Sequence, residues 1–304
     1  MRNKTNELKK HGLLYLMAIP ACLFFILNSY LPMFGIYLAF TKYNFRGGIF
    51  GSPFIGFENF KYLLESGTLF RITRNTFLYN LVFILLGNSL QIVTAILLSK
   101  IANRFVKRTT QSLMFLPYFV SYVILGVFVY NLLNYEKGLV NSLLIQWGME
   151  RFDAFNTPLF WIFGLIAAYI WKWLGYGTVI YLAAISGIPE EYYEAANIDG
   201  ANAFQQIRYI TLPSLKPTFI TLLLLSIGRI LRGQFDLFFN IIGNNGVLFS
   251  TTDVIDTFVY RSVAKTFDIG LGSAAGLYQS LFGFALIMIV NGIIKHINED
   301  YALF

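Results

Sequence analysis

Six stretches of this chain are apolar for long enough to cross a lipid bilayer, and that feature restricts the fold more than any other. They cover residues 13–41, 75–99, 109–135, 158–185, 217–242 and 276–294. A span needs about 20 mainly apolar residues. Hydrocarbon offers no partner to a free backbone N–H or C=O, so runs of this length close their hydrogen bonds internally, as helices. Charged residues make up 13% of the chain, against roughly 25% in soluble domains. The polar segments between the runs are too short to bury a core of their own. The expectation is an all-α integral membrane protein in which residues 1–304 form a single six-helix transmembrane domain.

Orientation follows from where Lys and Arg lie beside the runs. Arg2, Lys4, Lys9 and Lys10 precede the first run, and Lys100, Arg104, Lys107 and Arg108 lie between the second and third. Both groups read as cytoplasmic. Six spans then place both termini and the segment 187–216 on the cytoplasmic side of the membrane. Lys42, Arg46, Lys61, Arg71 and Arg74 would fall in the first external loop, against the rule. Part of that loop, "GFENFKYLLESG", reads as an amphipathic surface helix. The first run is too long for the apolar part of a signal peptide and lacks an Ala-x-Ala site, so it reads as a retained span kinked or ended by Pro20 and Pro32. The net charge of +7 is scattered in short groups beside the spans, which points to topology and not to nucleic acid. Cys22 stands alone, so no internal disulfide forms.

The most polar interior stretch is Glu190 to Pro213, "EEYYEAANIDGANAFQQIRYITLP". Pro189 suits a first helical position, and Glu190 and Glu191 suit the positive end of a helix dipole. Gly200 is placed to end that helix in the left-handed conformation. Asn202 can cap a second helix along which Phe204, Ile207 and Ile210 or Thr211 recur, with Leu212-Pro213 expected to end it before the fifth span. The result is a helix-turn-helix knob between the fourth and fifth spans.

The spacing Glu194-Ala195-Ala196-x3-Gly200-x9-Ile210-x-Leu212-Pro213 resembles the signature loop of permease subunits of binding-protein-dependent (type I) ABC importers. "PYFVSYVILGVF" in the third run, "YNFRGGIFGSPFIGFENF" in the first loop and "TTDVIDTFVYR" resemble the oligosaccharide branch, similar to maltose-type and lipoprotein-polysaccharide-type sugar permeases. The resemblance covers nearly the whole chain and is weakest at the extreme N-terminus. It implies a coupling loop docked in a cleft of a cytoplasmic ATPase. Glu194 would be the charged anchor, Ala195 and Ala196 the close-packing surface and Gly200 the turn. Leu212 and Pro213 would join the knob to the fifth span, and Asp199 and Ile210 complete the coupling set. The implied partners are a second, homologous permease, two ABC ATPase subunits, an extracellular solute-binding lipoprotein and an oligosaccharide. No cofactor is expected in this chain, and ATP and Mg would be bound by the ATPase partner.

The chain itself contains no G-x-x-x-x-G-K-[ST] and no Gly-Lys dipeptide, so it lacks the backbone cradle for nucleotide phosphates. H-E-x-x-H and G-x-S-x-G are absent too, which disfavours a membrane enzyme. An ion-gradient-driven secondary transporter is the alternative, although neither an inverted repeat nor a deep acidic pair is evident. Arg229, Arg232 and Asp236 in the fifth run and Lys172 in the fourth must face protein or water. Arg232 and Asp236, four apart, would meet on one helix face, either as a structural pair or beside Arg229 on the substrate path. Trp161, Tyr169, Trp171, Trp173 and Tyr176 crowd the fourth run. An interfacial aromatic belt is their commoner cause, with Trp173 a candidate to stack on a sugar. Gly175 and Gly177 predict a close helix approach, and Gly243 to Gly246 an external turn.

Overall fold

The computed structural model describes residues 11–297. Arg2, Lys4, Lys9 and Lys10, on which the orientation of the first span rests, lie outside them. Among the described residues no strand occurs, and one isolated antiparallel bridge joins Thr41 to Phe54. Five helices are long and apolar enough to cross a membrane, and a sixth candidate is a bent pair.

The first rod, α1 (Gly12–Phe40), is α-helical to Phe25, passes through a π turn at Ile26–Tyr30 and continues as a tight 3-10 helix from Leu31 to Phe40. Proline lacks an N–H and crowds the carbonyl one turn earlier, so Pro32 sits where the helical register changes. Pro20 lies inside the α-helical part and does not end it. Residues Gly12–Phe25 bury nothing within the chain; their apolar side chains face lipid or another protein.

The surface helix α2 (Glu58–Glu65) leads into α3 (Thr68–Ser99). At 1.5 Å per residue α3 is about 48 Å long, well beyond the ~30 Å hydrocarbon layer, so its first turns project toward the headgroups. Arg71 and Arg74 lie on those turns. The Arg71 Nη2 is 3.6 Å from Asp253 Oδ2, and Arg74 donates to the Asn75 side chain and, at 3.2 Å, to the Ser250 carbonyl. Two of the arginines that violate the charge rule therefore have partners in a distant loop.

The third run is not one helix. It is α4 (Arg104–Phe115), a 3-10 turn at Leu116–Phe119, and α5 (Tyr122–Leu133), with a bend of 93°. Pro117 begins the tight turn, and the Ser121 hydroxyl accepts from the Ile124 N–H to start α5 afresh. A short α6 (Leu139–Gln146) connects to α7 (Pro158–Ser186), which packs along α3. Gly175 permits the approach of α4, because a Cβ there would lie 1.9 Å from the Met114 carbonyl oxygen.

Two expectations about the fifth run are also corrected. After α8 (Glu190–Ile198), the helix α9 runs from Ala203 to Ile227 through a π turn at Ile207–Thr211. Leu212-Pro213 does not end it. The extra residue of the π turn shifts the ladder just before Pro213, which then falls in the opening turn of the next α segment, where its missing N–H costs nothing. The run then stops fifteen residues before the expected end at 242: the chain unwinds after Ile227 and re-forms as α10 (Phe235–Ile242). Two glycines and two arginines lie in the unwound segment. The Gly243–Gly246 turn is present, with Gly243 at φ +65°. Two helices complete the bundle, α11 (Ile255–Ala264) and α12 (Ile269–Ile297).

One apolar cluster, including Phe83, Leu125, Trp161 and Phe238, joins α3, α5, α7 and α10. Another, including Ile96, Tyr181, Ile185 and Leu215, joins α3, α7 and α9 next to the knob. The cavity lies between them.

Candidate functional site: a cavity between two helix breaks, and a knob at one end

The knob is braced from within. Gly200 takes φ +76°, a conformation that other residues resist, and Asn202 and Gln205 form a reciprocal capping box at 2.7 and 3.0 Å. Gln206 donates to the Asn197 side chain at 2.6 Å, and the Tyr193 and Thr211 hydroxyls are 3.0 Å apart. The Lys100 ammonium lies 5.4 Å from the centre of the Tyr193 ring, so the knob sits beside the basic segment after α3. Glu194, Ala195, Asp199, Leu212 and Pro213 are exposed, and Ala196 and Ile210 half-buried. Tyr192, Phe204 and Tyr209 also face outward, and Ile198 is 86% exposed. Exposed apolar side chains gathered in this way are available to a protein partner or to the membrane surface.

The break in the third run is closed by Lys172. This side chain is 6% exposed, and its ammonium donates to the carbonyls of Tyr118, at 2.9 Å, and Val120. Those carbonyls lose their helical partners at the bend, and a cation is the strongest donor available to them. The rings of Tyr118 and Tyr122 flank the charge at 5.9 and 4.9 Å.

The break in the fifth run is closed from the other direction. The carboxylate of Asp256, on α11, accepts from the Gly233 backbone N–H and from Gln279 Nε2 at 3.1 Å. Gln279 also donates to the Leu231 carbonyl at 2.6 Å. Arg232 and Asp236 form no ion pair, and they cannot share a helix face because the helix is interrupted between them. Arg232 instead lines a separate cleft that Asp256 and Gln279 also line.

Between the two breaks lies a cavity of about 510 Å³. Its rings come from α3, α7 and the 3-10 turn at Leu116–Phe119: Phe83 and Tyr169 stack at 3.9 Å, and Tyr118 and Tyr176 at 4.8 Å. Trp173 also lines it and donates to the Tyr122 hydroxyl at 2.9 Å. Amides come from Asn80, Asn88, Gln91 and Gln234, and among the described residues Arg229 is the one charged lining residue. Trp173 and Arg229 thus share one site, whereas Arg232 and Asp236 lie outside its lining. The aromatic belt is correspondingly reduced. Trp161 is in the core at 1% exposure, Tyr169, Trp173 and Tyr176 face the cavity, and Trp171, at 47%, is left to face outward.

The amides were not anticipated from the sequence. Their signal was available: Asn80, Asn88 and Gln91 recur at helical spacing with Ile84 in an otherwise apolar run, so one face of α3 is polar where lipid would not tolerate it. Also missed was the cluster around Asp253, whose fully buried carboxylate takes both arms of Arg261, at 2.8 and 3.1 Å, as well as Arg71.

Comparisons with known proteins converge. The family model described as "Binding-protein-dependent transport system inner membrane component" matches residues 84–302. The polygalacturonan/rhamnogalacturonan transport system permease protein YteP of Bacillus subtilis (strain 168) is 32% identical, over 94% of this chain and 89% of its own length. The trehalose/maltose transport system permease protein MalF of Thermococcus litoralis is 29% identical, over 94% of both. A crystal structure of a bacterial ABC transporter involved in the import of the acidic polysaccharide alginate superposes with a TM-score of 0.86 at 30% identity, covering 96% of this chain and 98% of that one.

Proposed function

This chain belongs to the family of binding-protein-dependent transport system inner membrane components, and from that premise we propose that its cavity is the route of an oligosaccharide and its knob the lever that opens it. The observation that carries the cargo reading is the lining: stacked rings, four amides and one guanidinium. Rings cover the apolar faces of a pyranose, amides and guanidinium bond its hydroxyls, and few groups are ionised.

The chain is the permease of an ABC importer. In the proposed assembly it pairs with a second, homologous permease, so that its cavity forms half of a common path. An extracellular solute-binding lipoprotein delivers cargo, and two cytoplasmic ATPase subunits bind ATP and Mg. The knob, with Glu194, Ala195, Ala196, Asp199, Gly200, Ile210, Leu212 and Pro213, docks on one of them, and both termini are cytoplasmic. Because α9 is continuous from Ala203 to Ile227, a tilt of the knob is transmitted as a rigid rod to the Arg229 end of the cavity. The ATPase shifts the equilibrium only by gripping the knob differently in the two states. Broken helices, a feature common in ion-driven carriers, are present in this chain, so they do not separate the two readings. Family membership does.

Arg229 has no acid beside it in the cavity lining, which supports a preference for cargo bearing carboxylates. The test is stimulation of ATP hydrolysis in the reconstituted complex by binding proteins loaded with neutral or uronic-acid oligosaccharides. Both stimulate if oligosaccharide is the cargo class. Arg229→Ala lowers the response to acidic cargo by about ten-fold, one charged hydrogen bond, and leaves the neutral response within about two-fold. No stimulation by any oligosaccharide contradicts the cargo class.

A further inference from the structure

A second cavity, of about 260 Å³, lies between α3 and α7 and is separate from the transport cavity. Its walls are the aliphatic side chains of Leu78, Val82, Ile162 and Ile166, and one end is polar, with Arg74 and Asn75. Leu78 is exposed, so the groove opens sideways on the bundle. From Arg74 to Val82 it follows eight residues of α3, about 12 Å at the helical rise.

Charge at the polar end is unbalanced. Arg71, Arg74 and Arg261 gather around Asp253, which is the one carboxylate in ion-pair contact with any of them among the described residues. Arg74 is exposed and makes no ion pair; its bonds go to an amide and a carbonyl, both neutral. Two buried polar atoms find no partner among the described residues, Arg71 Nε at this end and the hydroxyl of Tyr79, which is 6% exposed and lines the groove. An arginine that only extended into water would need neither the aliphatic channel below it nor this surplus.

We propose that the α3–α7 groove is a site for one anionic phospholipid of the surrounding bilayer. Its phosphate lies against Arg74, with Arg71 behind, and one acyl chain lies between Leu78, Val82, Ile162 and Ile166. Guanidinium recognises phosphate oxygens in pairs, and that chemistry is the same in either leaflet. The proposal depends on membrane embedding and not on the cargo. It also gives Arg74 a role on the side of the membrane where the charge rule disfavours it.

The experiment places the full chain, assembled with its partner subunits, in phosphatidylcholine nanodiscs. These are doped with either phosphatidylglycerol or phosphatidylcholine carrying an acyl-chain diazirine, and crosslinked peptides are mapped by mass spectrometry. The phosphatidylglycerol probe labels residues 74–82 and 162–166 about five-fold more than the phosphatidylcholine probe, the effect of one basic group near the surface. Arg74→Ala removes that preference, Arg74→Lys keeps most of it, and Leu78→Trp, which fills the groove, suppresses labelling by both probes. Three outcomes overturn the site: equal labelling by the two probes, a preference unchanged in Arg74→Ala, or no labelling by either probe, which would mean that protein covers the groove.

Discussion

The third and fifth runs are both interrupted beside the 510 Å³ cavity, yet one break is closed by a buried cation and the other by a carboxylate. At the first, the helix ends with carbonyls exposed, and the Lys172 ammonium bonds those of Tyr118 and Val120. At the second, the chain approaches α10 with the Gly233 N–H exposed, and the Asp256 carboxylate takes it. Each charge has the sign that the exposed backbone end calls for. The difference lies in redundancy. Among the described residues Lys172 is the one side chain that bonds the freed carbonyls at its break, whereas Asp256 shares its task with Gln279, which bonds both the carboxylate and the Leu231 carbonyl. The third-run break should therefore be the more fragile of the two.

The largest expected effect follows from that asymmetry. Lys172→Met strands two carbonyls among apolar neighbours, at a cost of about 3 kcal/mol. Uptake should fall at least ten-fold, and the purified assembly should melt at a lower temperature. If Lys172→Met keeps both uptake and melting temperature, the lysine does not close the break. Next comes Asp256→Ala, which strands the Gly233 N–H but leaves Gln279 in place, for roughly 1–2 kcal/mol. Asp256→Asn retains an acceptor and should cost less than half as much; equal losses in the two variants would show that charge, and not the hydrogen bond, is what matters there. Gly200→Asp puts a side chain and a negative charge on the exposed turn at φ +76°, a backbone that Asp enters at about 1 kcal/mol or less. It should reduce the ATPase recovered by co-purification about ten-fold while the permease remains inserted. Undiminished recovery would remove the knob from the docking surface. The smallest effect belongs to Trp173→Phe, which keeps a ring in the cavity and loses only the bond to Tyr122, for about 1 kcal/mol or less. Half-saturation by cargo-loaded binding protein should change no more than about five-fold.

What could be read from the sequence divides along the same line. The knob is local: Gly200, Asn202 and the alanines lie within a few residues of one another, and each answers a nearby backbone requirement. Cap, turn and spacing were therefore visible in the letters. The spans were legible as composition, but their continuity was not. A hydropathy average runs through Val120 as smoothly as through Val127, and the break depends on Lys172, far along the chain. The same holds for Asp256, whose relation to Gly233 exists only once α11 packs against the unwound segment. Arg232 and Asp236 show the cost of assuming continuity, since a four-residue spacing pairs side chains only on an intact helix. Pro213 shows the reverse, a residue read as a stop that a single π turn absorbs.

Alternation of access around the cavity, driven from the knob, is the central claim, and the lone Cys22 makes it directly measurable. In a Cys22→Ser background, Ser226→Cys places one thiol in the cavity lining. The reconstituted complex is treated with a membrane-impermeant thiol reagent from either side, without nucleotide and with ATP held unhydrolysed by the partner ATPase. Labelling is expected from the knob side alone without nucleotide, and from the opposite side alone with ATP bound. Labelling from the same side in both states would contradict it.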